Sequence, residues 1–254
     1  MSVDAGVWKQ RDVAAAFLNE RSLHIPQRQN QLEVILRVLR FAPRKPERIL
    51  DLGCGDAILL ATALEAWPDA SGVAVDFSPL MLEQARTRLA KFAGRGHADG
   101  PPKTVEADLG SSAWLDSVSN ALGSSRLEFD AVLSGLAIHH LPHDRKGTLY
   151  REIFGLLAPG GVFLNLEHVS SPAPVVEEIF DDFMTEHLYL RRREKGEDVT
   201  PDQVRRDFME RPDRAANILA SVEEQCQWLR DIGYQNVDCY WKYFELAVFG
   251  GFRI

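Results

Sequence analysis

A chain of 254 residues, 45% hydrophobic and 26% charged, has the composition of a folded globular protein and room for one large domain or two small ones. With 29 Lys and Arg against 37 Asp and Glu, its formal net charge of −8 gives no global attraction for nucleic acid or an anionic membrane. No apolar run approaches the ~20 residues of a bilayer span, charges at Asp4, Lys9, Arg11, Asp12 and Glu20 interrupt any secretory core, and Cys54, Cys226 and Cys239 are too scattered for a disulfide framework or a closed zinc site; the cytoplasm is the expected compartment.

Residues 1–43 read as helices. Val13, Phe17 and Leu18, then Leu32, Ile35, Leu36 and Leu39, recur at three- and four-residue spacing. Ile25-Pro26 breaks the two patterns apart, because the residue before proline is pushed out of the helical region. From Arg48 the rhythm changes. Short apolar runs at 49–52, 73–75, 104–107, 129–133 and 162–166 alternate with helical segments at 59–67, 80–92, 113–122 and 145–157. Strands alternating with helices predict a parallel sheet covered on both faces, and the near-continuous apolar strands agree. Gly94 to Pro102 is a loop by composition.

Four prolines, Pro172, Pro174, Pro201 and Pro212, punctuate a charged, mostly helical stretch at 170–213. Two apolar runs, 236–241 and 244–249, then close the chain. The expected organisation is an α/β fold with an N-terminal helical cap at 1–43 and a core at 44–169. A helical insertion at 170–213 follows the fifth strand, and residues 214–254 complete the core.

The most informative segment is Asp51-Leu52-Gly53-Cys54-Gly55-Asp56-Ala57, where a buried strand meets a glycine turn and then a helix. Glycines let the backbone approach a ligand closely, and the helix N-terminus adds positive partial charge. A phosphate loop needs a Lys that is missing here, and a dinucleotide turn needs glycine where Ile58 stands. What remains is D-x-G-x-G, with Asp51 two residues before Gly53. A carboxylate there suits a cationic ligand better than a pyrophosphate.

This spacing resembles motif I of the class I S-adenosylmethionine-dependent methyltransferases, with Ala57 where that family usually has a third glycine. The likeness continues through 73–78, where Asp76 ends a second strand before Phe77 and Ser78, and through Asp108-Leu109 after the third. It extends to Phe129–Ser134 in the fourth strand and to the Pro159-Gly160-Gly161 turn before the fifth. It implies a Rossmann-like fold, a seven-stranded, mostly parallel sheet with an antiparallel last strand. It also implies S-adenosylmethionine as cofactor, held by Asp51, Gly53, Gly55, Asp76, Phe77, Met81, Asp108, Leu109 and Ser134. Asp76 would accept the ribose hydroxyls, Phe77 would cover the adenine and Asp108 would accept from its amino group; capping the next helix is the plainer role for Asp76 and Ser78.

Ala15-Ala16-Phe17, Arg21-Ser22 and Ile25-Pro26 are similar to the N-terminal cap of the tRNA-wobble-uridine carboxymethyl-donor synthase and related small-molecule enzymes. By that likeness Arg21 pairs with the methionine carboxylate; a solvated helix-end arginine is the alternative.

The acceptor of such a fold sits beyond the carboxyl ends of the strands. His139 and His140 follow the fourth strand, Glu167 and His168 end the fifth. His139, Glu167 and His168 are the candidate catalytic residues, and His140 is assigned to packing. No metal is expected. Phe180, Phe183, Met184, Leu188 and Tyr189, at helical spacing, either pack or line an acceptor pocket. The expected reaction is methyl transfer to a small, partly apolar molecule by a monomer or homodimer, without a nucleic-acid or membrane partner. Other sulfonium chemistry, such as cyclisation, and a non-catalytic cofactor-binding subunit are the alternatives.

Overall fold

In the computed structural model, residues 25–94, 100–124 and 127–254 are described. In chain order the elements are α1 (Arg28–Phe41), β1 (Arg48–Leu52), α2 (Ile58–Ala66), β2 (Ser71–Asp76), α3 (Pro79–Leu89), β3 (Lys103–Glu106), α4 (Trp114–Leu122) and β4 (Phe129–Gly135). They continue with α5 (His143–Leu156), β5 (Leu157–His168), α6 (Pro174–Glu194), α7 (Pro201–Met209), α8 (Pro212–Ala215), α9 (Val222–Ile232), β6 (Gln235–Tyr243) and β7 (Leu246–Phe252).

The strands form one seven-stranded sheet in the order β3-β2-β1-β4-β5-β7-β6. β1 to β5 pair in parallel, and β7 alone runs antiparallel to its neighbours β5 and β6. Every residue of β2 and β7 is buried, as a sheet covered on both faces requires. One face packs under α4, α5 and α9 through Val118, Leu149, Ile153 and Leu229. The other packs under α1, α2 and α3 through Ile35, Leu39, Leu60 and Leu82. Each such side chain contributes roughly 1.5–3 kcal/mol by leaving water.

Helix α1 belongs to this layer. Its buried stripe is Gln31, Ile35 and Leu39, and it touches α2 and strands β5, β6 and β7. The described part of the N-terminal helical segment is therefore a third helix on the sheet face. Its remainder, with Arg21, lies outside the described residues. Helices α6 and α7 pair around a cluster of their own, Met184, Leu188, Val199, Val204 and Phe208.

Two boundaries differ from the sequence expectation. β5 begins at Leu157 directly after α5, so Pro159-Gly160-Gly161 lies inside the strand. Gly160, at φ 83°, donates to Arg253 O at 2.5 Å while Arg253 donates back to Gly161 O at 2.9 Å, which ties the glycines to the end of the chain. The second closing strand begins at Leu246. Phe244 and Glu245 form the two-residue turn before it, with Phe244 at φ 51°.

Candidate active site

The turn after β1 is built by local backbone geometry. Gly53, Gly55 and Ala57 have φ of 61°, 55° and 58°, three left-handed residues at every second position. The two glycines adopt this freely, whereas Ala57 does so at a cost of about 1–2 kcal/mol. Cys54 N donates to Val75 O at 2.9 Å and moors the turn to β2. A Cβ on Gly53 would lie 2.2 Å from the Ala137 Cβ, so only glycine fits against the loop after β4.

Three carboxylates surround this turn. Asp51 is fully buried in β1; its Oδ2 accepts from Leu60 N at 3.1 Å, and its Oδ1 has no hydrogen-bond partner. Burial pushes its pKa up to about 7, the Leu60 amide opposes, and Asp56 and Asp76 add to the rise. Asp76 accepts from Gly55 N and Ser78 N, both at 2.9 Å. Burial raises its pKa against those bonds. Asp56 pairs with Arg88 at 2.5 Å.

The other expected cofactor residues are placed unevenly. Ala107 N donates to Asp76 O at 3.0 Å, which sets Asp108 beside the end of β2. Asp108 is exposed, and its Oδ1 takes Gly110 N at 2.8 Å. Phe77 and Leu109 are half-buried, and Met81 is buried. Ser134 is wholly buried, and its hydroxyl donates to Leu52 O at 2.9 Å. The structure therefore gathers Asp51, Gly53, Gly55 and Asp76 at one turn and leaves Ser134 holding β4 to β1.

A second group of polar side chains gathers beyond β4 and β5. Leu136, at φ 56°, bends the chain after β4, and its N–H bonds to Leu166 O at 2.8 Å. The 3₁₀ turn Ile138–His140 follows. There His139 Nδ1 lies 2.5 Å from Glu167 Oε1, both side chains buried. Glu167 also accepts from His168 N at 2.9 Å. Burial lowers the His139 pKa to about 3, with Lys146 and Arg211 adding to the fall, so the ring is neutral. Burial raises the Glu167 pKa, which the His168 amide and Lys146 oppose. His140 is half-buried, its Nδ1 3.4 Å from Ala216 O. The His168 ring centroid stands 5.8 Å from that of His139. Among the described residues, no group of three or more His, Cys, Asp or Glu side chains suits a metal ion.

Two residues of this cluster were missed in the sequence. Lys146 is fully buried and donates to Ile218 O, while Ile218 N donates to His139 O at 2.8 Å. Burial lowers its pKa, and Glu167 opposes. Residues 216–221 are thus strapped across the ends of β4 and β5. The available signal was a lysine inside the apolar stripe Lys146, Leu149, Tyr150 and Ile153 of α5. Glu245, 4% exposed, stands with Oε1 3.8 Å from His168 Nε2. Its signal was a tight turn built on Phe-Glu, with none of the residues such turns favour.

The aromatic stripe of α6 divides between two roles. Met184 and Leu188 fill the α6–α7 cluster. Phe183 stacks on Phe244 at 4.1 Å and 7°, and Phe180 meets the same ring edge-on at 6.3 Å.

Residues 50–163 match the family described as a methyltransferase domain. The chain is 35% identical over 130 residues to trans-aconitate 2-methyltransferase of Methylobacterium radiotolerans, 51% of this chain and 40% of that one. It is 34% identical over 134 residues to demethylmenaquinone methyltransferase of Leptospira interrogans, 52% of this chain and 47% of that one. This chain thus spans less than half the length of either relative. An O-methyltransferase family protein of Burkholderia thailandensis shares the fold with a TM-score of 0.67 at 16% identity, over 100% of this chain and 64% of that one.

The residues at the β1 turn fit S-adenosylmethionine, the cofactor that the sequence resemblance implies. The orphaned Asp51 Oδ1 offers an acceptor for an ammonium. The neighbouring Asp56 and Asp76 favour a ligand of net positive charge, and the side-chain-free face of Gly53 admits close approach. No helix among the described residues is long and apolar enough to cross a membrane.

Proposed function

We propose that the protein is an S-adenosylmethionine-dependent methyltransferase acting on a small, partly apolar molecule, and that the accepting atom is a hydroxyl oxygen. The His139–Glu167 pair at 2.5 Å carries this reading. When bound, the cofactor supplies an electrophilic methyl group on a sulfonium. The protein then has two tasks, to align the acceptor and to take up its proton. A hydroxyl needs the second; a carboxylate, ionised at neutral pH, does not. His139 is neutral, and with its Nδ1 hydrogen held by an ionised Glu167 its Nε2 is the base. Glu167 then stabilises the imidazolium that forms.

In this proposal Asp51 holds the methionine ammonium and Asp76 the ribose hydroxyls. Phe77 and Met81 cover the adenine, Asp108 and Leu109 meet its edge, and Ser134 backs the turn. Residues before Ile25, Arg21 among them, close over the cofactor as in the carboxymethyl-donor synthase subgroup. The enzyme works in the cytoplasm as a monomer or homodimer.

Mass spectrometry of phenolic acceptors incubated with the protein and S-adenosylmethionine tests the reading. Products heavier by one methylene are expected. Release of methylthioadenosine without acceptor overturns it in favour of a cyclising enzyme. The identity with the trans-aconitate enzyme favours a second reading, a carboxylate acceptor. His139→Ala separates the two, because only a hydroxyl acceptor requires the base.

A further inference from the structure

The turn between β6 and β7 holds an unusual pair of residues. Phe244 is left-handed at φ 51°, a conformation that strains a bulky residue. Stacking on Phe183 and the edge of Phe180 hold it there. The next residue, Glu245, is 4% exposed. Its backbone carbonyl accepts from Val169 N at 2.8 Å, and its carboxylate lies 3.8 Å from His168 Nε2. Among the described residues, no donor lies within hydrogen-bonding distance of that carboxylate. Its ion-pair contact with His168 is longer than a hydrogen bond, so the carboxylate keeps accepting capacity for a ligand donor. The acid sits at the end of β5, beside His168, which is one residue along the strand from Glu167.

We propose that Glu245 anchors the acceptor by receiving a hydrogen bond from a second polar group on it, an amine or a hydroxyl remote from the oxygen that is methylated. This rests on the methyltransferase reading and adds the acceptor's chemistry to it. The surroundings match such a group. Burial and the neighbouring Asp181 and Glu177 raise the Glu245 pKa to about 8, while Arg214 and Arg211 oppose. Arg214 is itself paired with Asp181 at 2.7 Å. A bound donor, a cationic one above all, favours the ionised carboxylate and relieves the cost of burying it. The adjoining rings accept cations: Lys242 Nζ rests 4.7 Å above the Phe180 ring.

Calorimetric titration of the full chain loaded with S-adenosylhomocysteine tests this with tyramine, 4-hydroxybenzyl alcohol, p-cresol and 4-hydroxybenzoate. Tyramine is expected to bind about tenfold or more tighter than p-cresol, with the alcohol between them and the benzoate weakest. In Glu245→Gln the tyramine advantage should vanish, while p-cresol and S-adenosylhomocysteine bind as before. Glu245→Asp, which keeps the charge, should retain part of the preference and guards against a Gln variant that fails to fold. Equal affinity for tyramine and p-cresol, preference for the benzoate, no saturable binding of tyramine, or an unchanged ratio in Glu245→Gln overturns the proposal. Failure of S-adenosylhomocysteine itself to bind overturns the methyltransferase reading instead; the same probes, added to the chain without it, still decide the role of Glu245.

Discussion

The two polar groups at the ends of the strands are built by different means. At the β1 turn the chemistry comes from consecutive residues, Asp51 to Ala57, whose backbone angles alone shape the surface. Asp76 joins through hydrogen bonds to backbone N–H groups. At the ends of β4 and β5 the groups come from far apart in sequence: His139, Lys146, Glu167, Ile218 and Glu245 meet only through tertiary packing. In the proposed enzyme the locally coded half takes one fixed ligand, the cofactor. The half assembled from separate elements, assigned to the acceptor in the same proposal, depends on several of them at once.

The sharpest break between the halves is expected from His139→Ala. Turnover of a hydroxyl acceptor should fall about 10²–10⁴-fold, while calorimetry finds the S-adenosylhomocysteine affinity unchanged. A fall in that affinity would mean that the two halves are not separable.

Asp76→Ala acts on the other side. Loss of two charge-assisted bonds to the ribose should weaken cofactor binding by about 1.5–3 kcal/mol, more than tenfold. Melting temperature should also drop, since Gly55 N and Ser78 N lose their acceptor. Unchanged affinity would leave Asp76 a capping residue only.

Asp51 makes stability depend on pH. Its pKa is about 7 in the fold against about 3.9 in an unfolded chain. The folded state therefore holds the proton more tightly. That contribution is complete below about pH 4 and is lost as pH rises through 7. Urea midpoints of Asp51→Asn should fall less steeply than those of the wild type between pH 5 and 8, by a kcal/mol or two. Parallel slopes would contradict a buried titrating Asp51.

The smallest effect concerns Lys146. Glu167 serves His139 only when ionised, and burial raises its pKa. Turnover should thus rise with pH as that proton leaves. Lys146 favours the ionised form, so Lys146→Met should move the rising limb of the pH profile upward by about one pH unit, and Lys146→Arg should restore most of it. An unmoved limb would leave Lys146 a strut for Ile218.

Residues 48–76 were legible in the sequence because their message is local: a buried strand, a glycine turn, an acid at the next strand end. The parallel sheet covered on both faces followed from the alternation of strand and helix patterns, whereas its strand order came only with the structure. At the acceptor end His139 and Glu167 were recognisable singly, but their contact, across 28 positions, depends on the bend at Leu136. Ser134 stands at the expected place, yet its hydroxyl faces Leu52 O because β1 lies beside β4. Lys146 and Glu245 escaped notice because helix and turn patterns treat a lone charge as solvated. Only the strap at 216–221 and the strained Phe244 bury them.

The contact between Gly53 and Ala137 has a consequence for how such an enzyme diversifies. The two halves share a wall at this point, with glycine on one side and a single methyl on the other. Any larger side chain at position 137 pushes on the cofactor turn as well as on the acceptor loop. Evolution toward new acceptors is therefore closed at 137, however near it lies to His139. It stays open at positions whose side chains do not press on the Gly53 turn.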